Sequence, residues 1–448
     1  MKSRVWCLIA LTLAAAPAVL PSTASAEDLL QVFRDARNYD AQFGAARYAL
    51  QAGLEKLPQG RALLLPTLGL TTSFTRTTLD IDGRGSNPAT STTRTFNTDT
   101  YQFTLSQPIY RPQNSAQYNQ AEYQVRQAEA VFGQAAQDLA VRSAQAYFDV
   151  LSAEDTLALV RAQKAAISEQ LAQAKRNFEV GTATITDTHE AQARYDLSTA
   201  QEISSQNDLE VKRRTLQQVT GKAYEKLRPL RSDVKLSPPN PNNMQSWVDI
   251  AEKQSFPVLI QEAVSEISSL EVKRSRAAHY PTVDLVATLG QTNQTGSNVS
   301  ATGSLITPAF IGVQLALPLY QGGAINSRER EAAANYEKAK QDLENARRVS
   351  ALSSRQSYLG VINGIAQVSA LEAALVSSQS ALESNKLGYE VGVRINIDVL
   401  NAQQQLFSTR RDLATARYNT ITNYLRLKAA AGSLREEDID EVNKALQF

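Results

Sequence analysis

The residues able to do chemistry are few and scattered. His189 and His279 are isolated, and the His-Glu-Ala-Gln-Ala run that starts at His189 lacks the second histidine of a helical zinc site. Asp80-Ile81-Asp82-Gly83 is a fragment of a calcium-loop pattern, too short to supply the oxygens such a loop needs. The one cysteine, Cys7, lies in an apolar run near the start, so no disulfide, thiolate metal site or cysteine nucleophile is expected further on. No acid-base pair or phosphate loop stands at a catalytic spacing, so neither an enzyme nor a cofactor is expected. What remains is a pair of acids, Asp187 and Asp398, which lie 211 positions apart. An acid just after a turn either caps the helix that follows or presents its charge to a partner. Arg394, nearby, is either such a partner or a solvated surface charge.

Those acids sit in a stretch written twice. Phe178 to Gln192 reads FEVGTATITDTHEAQ, and Gly388 to Gln405 reads GYEVGVRINIDVLNAQQQ. At the same offset Val180 matches Val391, Gly181 matches Gly392 and Gln192 matches Gln403, and the stretches that follow end at Gly221 and Gly432. A glycine between two long Ala/Gln/Leu-rich segments reads as a turn between helices, because glycine takes positive φ at little cost. Each copy is therefore expected to be a long helical hairpin.

Residues 1 to 26 carry Lys2 and Arg4, an apolar run from Val5 to Leu20, and Ala24-Ser25-Ala26 before Glu27. This order is that of a secretory leader cleaved after Ala26. The whole chain holds 46 basic and 45 acidic residues, and loss of Lys2 and Arg4 tips this balance slightly acidic. No nucleic-acid partner is implied.

From Glu27 to Leu64 the pattern is helical, with breaks expected near Asn38 and at Pro58. From Thr67 it alternates. Leu68, Leu70 and Phe74 fall on one face and Thr67, Gly69, Thr71, Ser73 and Thr75 on the other. After a polar loop expected from about Asp80 to Asp99, Tyr101, Phe103 and Leu105 alternate with Thr100, Gln102, Thr104 and Ser106, up to Pro108. The second half repeats this. Val283, Leu285 and Leu289 oppose Asp284 and Thr288, a polar loop is expected from Gln291 to Ser304, and Ile311, Val313, Leu315 and Leu317 alternate with Gly312, Gln314 and Ala316 up to Pro318. Strands of about 9 to 11 residues with one apolar face fit a tilted crossing of a bilayer. On strand pattern alone a soluble sandwich hairpin fits equally well.

The helices decide between them. No proline occurs from Gln113 to Arg228, and Gly133 is the only glycine between Gln113 and Val180. A helix over that span would be on the order of 100 Å long and must project far from the sheet. Val125, Ala128, Phe132, Ala135 and Leu139 step by three and four, as do Ile167, Leu171, Ala174 and Phe178. That is a coiled-coil seam, and with Gln, Ser, Arg and Glu on the other faces no helix here is expected to be apolar enough to span lipid. A shorter return helix is expected from about His189 to Val219. The irregular Lys222 to Asn243 and the last residues, Ser433 to Phe448, are expected to form a mid-length belt, with Ser246 capping the next helix before Pro257 interrupts it.

The fold class expected is mainly α with membrane β. Residues 1–26 form a leader, 27–236 a first repeat (strand hairpin 67–107, helical hairpin 112–221, belt) and 237–448 a second (282–317, 322–432, belt). Four strands cannot close a membrane barrel, so several chains must share one.

The duplicated tip, the Pro-Ile-Tyr and Pro-Leu-Tyr strand corners and the leader resemble the TolC-like family of outer-membrane channels over essentially the whole mature chain. The resemblance implies a homotrimer with a shared twelve-stranded barrel in outer-membrane lipid and a twelve-helix tunnel in the periplasm. It also implies an exit duct for an efflux pump or type I secretion system, with a periplasmic adaptor (membrane fusion) protein and an inner-membrane pump or ABC transporter as partners. By position, Thr186, Asp187, Tyr389 and Arg394 match the family's periplasmic gate contacts and Asp398 an acidic ring. Val180, Gly181, Val391 and Gly392 match the tips that meet the adaptor. Asn401 stands where well-known members carry a second acidic ring, Val393 replaces a common threonine, and Phe178 replaces a tyrosine. A poreless periplasmic adaptor or scaffold is the alternative, and the four alternating segments favour the duct.

Overall fold

The computed structural model describes residues 26–82, 91–231, 234 and 236–446. Residues 1–25 of the expected leader, with Cys7, and also Gly83 and Phe448, lie outside the described residues. The chain opens with α1 (Leu29–Tyr39), α2 (Ala41–Leu54) and α3 (Lys56–Ala62). Asp28 and Asp40 cap the first two by accepting from the amides of Gln31 at 2.8 Å and Phe43 at 2.7 Å. The break expected at Pro58 falls at Glu55 instead. Pro58 lies in the first turn of α3, where a missing N–H costs no helical bond.

β1 (Thr67–Asp82) and β2 (Ser91–Tyr110) run 16 and 20 residues, well beyond the length expected. Most of the expected polar loop is strand, because its β-branched threonines pair across the hairpin. Thr78 lies opposite Thr95, and Thr93 Oγ1 donates to Asp80 Oδ1 at 2.7 Å. β2 also passes Pro108, through a bulge between Pro108 and Tyr110 that relieves the missing donor.

α4 (Pro112–Glu179) is a single helix of 68 residues, followed by α5 (Ile185–Thr220). α5 begins four residues before the expected His189, for a reason that lies in its cap and is given below. After the belt come α6 (Met244–Gln254) and α7 (Phe256–Ala277). Asn243, rather than Ser246, caps α6, accepting from Gln245 N at 2.9 Å, and Pro257 sits in the first turn of α7.

β3 (Thr282–Gln294), β4 (Ser304–Ile306) and β5 (Ala309–Ala316) complete one antiparallel sheet in which β2 pairs β3 and β3 pairs both β4 and β5. The single return strand expected is split at Pro308, which has no amide to donate. Its carbonyl still accepts from Gly290 N at 2.9 Å, so both pieces stay on β3. α8 (Ala324–Glu390), α9 (Asn396–Ala430) and α10 (Glu436–Asn443) end the chain.

The register resolves two faces. Leu70 pairs Phe103, Phe103 pairs Leu289, and Leu285 pairs Val313, so these apolar residues share one side. Thr71, Gln102, Gly290, Asp284 and Gln314 share the other. Leu68, Leu70, Phe74, Phe103, Leu289, Ile311, Val313 and Leu315 are all exposed, a contiguous apolar band with no cover within the chain. Asp284, expected to meet water, is instead 7% exposed and held by Arg111 at 2.7 and 2.6 Å, a two-point clamp between β3 and the start of α4.

Helix packing changes with height. Near the sheet α4 packs against α2, α3 and α7, and α7 against α8. Farther out α4 packs against α5 and α9, and α9 against α8. The return helices stop where the short ones begin. Gly221 lies under the Tyr39 ring and Gly432 against the backbone of Gln254 and Ser255, both at positive φ and with no room for a side chain. Around this level the core gathers Leu29, Val32, Tyr147, Phe148, Leu425, Ile439 and Leu446. Tyr147 donates to Arg228 O at 2.7 Å, and bridges join Glu27 to Leu227 and Leu230 to Leu446, which makes the belt. Burial raises the Tyr147 hydroxyl's pKa, so it stays a donor.

The seam residues Leu139, Ile167, Leu171 and Ala174 are buried as expected, whereas Phe178 is exposed at the tip. The expectation that no helix is apolar enough to span lipid does not hold for α8. It contains an 18-residue stretch apolar enough, by length and composition, to cross a membrane, and only 11% of that stretch is buried. Val349, Leu352, Leu359 and Val376 of α8 are exposed, as are Leu197, Ile203 and Val211 of α5.

Candidate functional site at the hairpin tips

Each helical hairpin turns through the same backbone, set by one glycine. Gly181 has φ 77° and Gly392 φ 80°, and each is preceded by a valine near φ −90°. In the first tip Val180 N donates to Arg176 O, Gly181 N to Phe178 O and Thr182 N to Asn177 O. In the second Val391 N donates to Leu387 O, Gly392 N to Tyr389 O and Val393 N to Gly388 O. These bonds satisfy carbonyls that a helix end leaves open, which is why the Val-Gly pair stops both helices at the same register.

The caps that follow differ. Thr184 and Asp187 form a reciprocal capping box: Asp187 N donates to Thr184 Oγ1 at 3.3 Å, and Thr184 N donates to Asp187 Oδ2 at 3.1 Å. This box starts α5 at Ile185 and occupies the Asp187 carboxylate. At the matching place in the second tip Ile395 cannot cap, and Asp398 has no such bond. Asp398 turns instead to Arg394, 3.7 Å away. Gly388 makes this possible, since a Cβ there would strike the Arg394 stem. So the two repeated acids do different work: one closes a helix end, and the other carries a charge at the surface.

Within one chain Arg394 and Tyr389 are not brought to Thr186 and Asp187. Tyr389 Oη accepts from Asn177 Nδ2 at 3.2 Å, joining α8 to α4, and Thr186 is exposed. The tips expose apolar side chains beside Glu179, Thr186, Glu390 and Arg394. Val180, Val391, Val393 and Ile395 are all exposed by more than 60%. Asn401 accepts from Arg194 Nη2 at 2.9 Å, and Arg194 also donates to Gln404 Oε1. Neither Arg194 nor Gly388 stands in a functional motif of the sequence. Arg194 breaks the repeat, for Gln405 stands at the matching position, and that asymmetry was the available signal.

Farther along, Tyr418 donates to Asp155 Oδ2 at 2.7 Å between α9 and α4, and burial raises the Asp155 carboxyl's pKa. Among the described residues no group of histidines, cysteines and acids could hold a metal.

The model of the family described as outer membrane efflux protein matches residues 32–222 and 247–433. The chain is 32% identical to "Outer membrane protein TolC" of Vibrio cholerae, over 98% of each chain. It is 31% identical to "Proteases secretion protein PrtF" of Dickeya chrysanthemi, over 93% of this chain and 90% of that one. Its fold is similar to the Campylobacter jejuni CmeC outer membrane channel, with a TM-score of 0.77 at 17% identity, covering 94% of this chain and 90% of the other. Two matches of one model at the two halves, and relatives aligned from end to end, leave a single assignment: this chain, placed in the outer membrane and reaching into the periplasm, belongs to the outer membrane efflux protein family.

Proposed function

We propose that three copies of this chain assemble into the outer-membrane exit duct of an export system, passing cargo outward from an inner-membrane transporter through a periplasmic adaptor. The observation that carries this reading is the sheet: a meander with two open edges, β1 on one side and β4 with β5 on the other, and an exposed apolar face. Backbone groups at such edges cannot stay unpaired in lipid. Head-to-tail pairing of β1 in one copy with β5 of the next satisfies them and closes a ring. Four strand positions per chain give twelve in a trimer, a barrel whose polar face lines water. The helices follow, since each level offers four per chain.

The two halves, 27–236 and 237–448, are one structural repeat used twice. Efflux and protein secretion share this design, and the name of the Dickeya relative favours secretion as one use. The poreless adaptor leaves the apolar sheet face without a role. At the tips, Val180, Gly181, Val391 and Gly392 offer the apolar surface for the adaptor. The gate needs a neighbouring copy, in which Arg394 and Tyr389 of one chain meet Thr186 and Asp187 of the next while Asp398 lines the opening. Extraction from outer membranes in mild detergent, followed by mass measurement, should return a trimer that forms channels in planar bilayers. Recovery as a soluble periplasmic monomer would overturn the duct.

A further inference from the structure

We infer that Arg194 is the latch that holds the two hairpin tips of one chain together. The guanidinium reaches from α5 to α9, donating to Asn401 Oδ1 at 2.9 Å and to Gln404 Oε1. α5 and α9 touch only slightly, and each packs chiefly on another helix of the tip, α5 on α4 and α9 on α8 and α4. Beneath this contact lies a small core in which all three helices converge: Ile167, Leu171 and Ala174 of α4, Ala191 of α5 and Leu400 of α9, with Tyr195 against it. Arg194 is flanked by Ala191 and Tyr195, and its acceptors follow Leu400, so it covers the open side of that core. A planar, forked cation suits two acceptors a helical turn apart better than an ammonium would. Asp187 cannot do this work within the chain, because its carboxylate is committed to Thr184.

The inference rests on the duct reading and goes beyond it, since it names the contact that must break inside each protomer for the tips to part. Two side-chain bonds of ordinary strength make the closed-to-open ratio roughly tenfold larger per chain. In planar bilayers Arg194→Ala should therefore raise mean conductance, with trimers intact on native gels. Arg194→Lys should behave like Arg194→Ala, keeping the charge but losing the fork. Asn401→Asp should lower conductance, because an ion pair replaces a neutral acceptor and tightens the latch. If Arg194→Ala and Asn401→Asp, which both make the tip more negative, moved conductance in the same direction, the field alone would be at work and the latch would be wrong. Unchanged conductance in Arg194→Ala, or wild-type behaviour in Arg194→Lys, would also overturn it. A wild-type protein that formed trimers but no channels would sink the duct reading instead.

Discussion

A carboxylate at the start of a helix has two uses, and one chain displays both. Asp187 answers the orphan amide of Thr184, so its removal should act on the helix first. Asp187→Ala is expected to cost about 1 kcal/mol of local stability at the start of α5, seen as faster amide exchange in the first tip. Conductance should rise as well, because the same carboxylate meets Arg394 of the next copy in the proposed gate, but by less than when both partners on the second tip are lost, since Thr186 remains. Arg394→Ser with Tyr389→Phe should raise single-channel conductance further, without faster exchange at α5. Should Asp187→Ala leave conductance at the wild-type level, the carboxylate would serve as a cap alone. The difference between the tips traces to one residue, because Thr184 can return a bond and Ile395 cannot.

At the scale of elements the sheet makes the sharpest statement. Pairing of Leu70 with Phe103 and of Leu285 with Val313 fixes which side each strand residue takes. A slip of one residue would exchange the faces. Single cysteines at Leu70, Phe103, Leu285 and Val313 should therefore resist a polar maleimide in intact membranes, while those at Thr71, Gln102 and Gln314 should react. The reverse pattern would mean that the sheet faces lipid with its threonines. The hairpin of β1 and β2 is longer than a bilayer needs: 16 residues span about 50 Å at about 3.3 Å each. The outer part of these two strands must stand beyond the membrane, where the Thr-rich pairs, with Arg76, Asp80, Asp82 and Arg94 among them, are wetted. At the other end the Arg111–Asp284 clamp ties β3 to the first turn of α4, so sheet and long helix move as one body there.

For the whole molecule the open sides matter most. α8 forms one flank of the helical layer and α5 the opposite flank away from the sheet, and both carry exposed apolar side chains. In the proposed trimer, head-to-tail closure would bring these flanks together and cover the apolar stretch on α8, which its own chain leaves exposed. Leu352→Asp with Leu359→Asp should then dissociate the trimer, as each leucine denied burial loses about 1.5 to 3 kcal/mol per interface. Light scattering in detergent should report monomers whose helix content by circular dichroism is unchanged. Trimers of wild-type stability would place these leucines on a surface that no neighbouring copy covers.

The repeat, the two Val-Gly turns, the strand positions and the long helices were legible in the sequence because each depends on local chemistry: a period of two or of three and four, a glycine at positive φ, a run free of proline. Lengths and boundaries were not. Threonines that read as loop became strand only because partners stood opposite them, and Pro58 and Pro108 were absorbed by a first turn and a bulge. Asp284 reads as a wetted acid until Arg111, 173 positions away, closes over it. Arg194 reads as one solvated cation among many until α4 carries α5 within reach of α9. Sequence by itself determined which segments are helix, strand and turn, since those choices are made among neighbours along the chain. Tertiary structure decided which polar side chains are spent on holding the fold and which are left to act, because that depends on partners that only packing brings together.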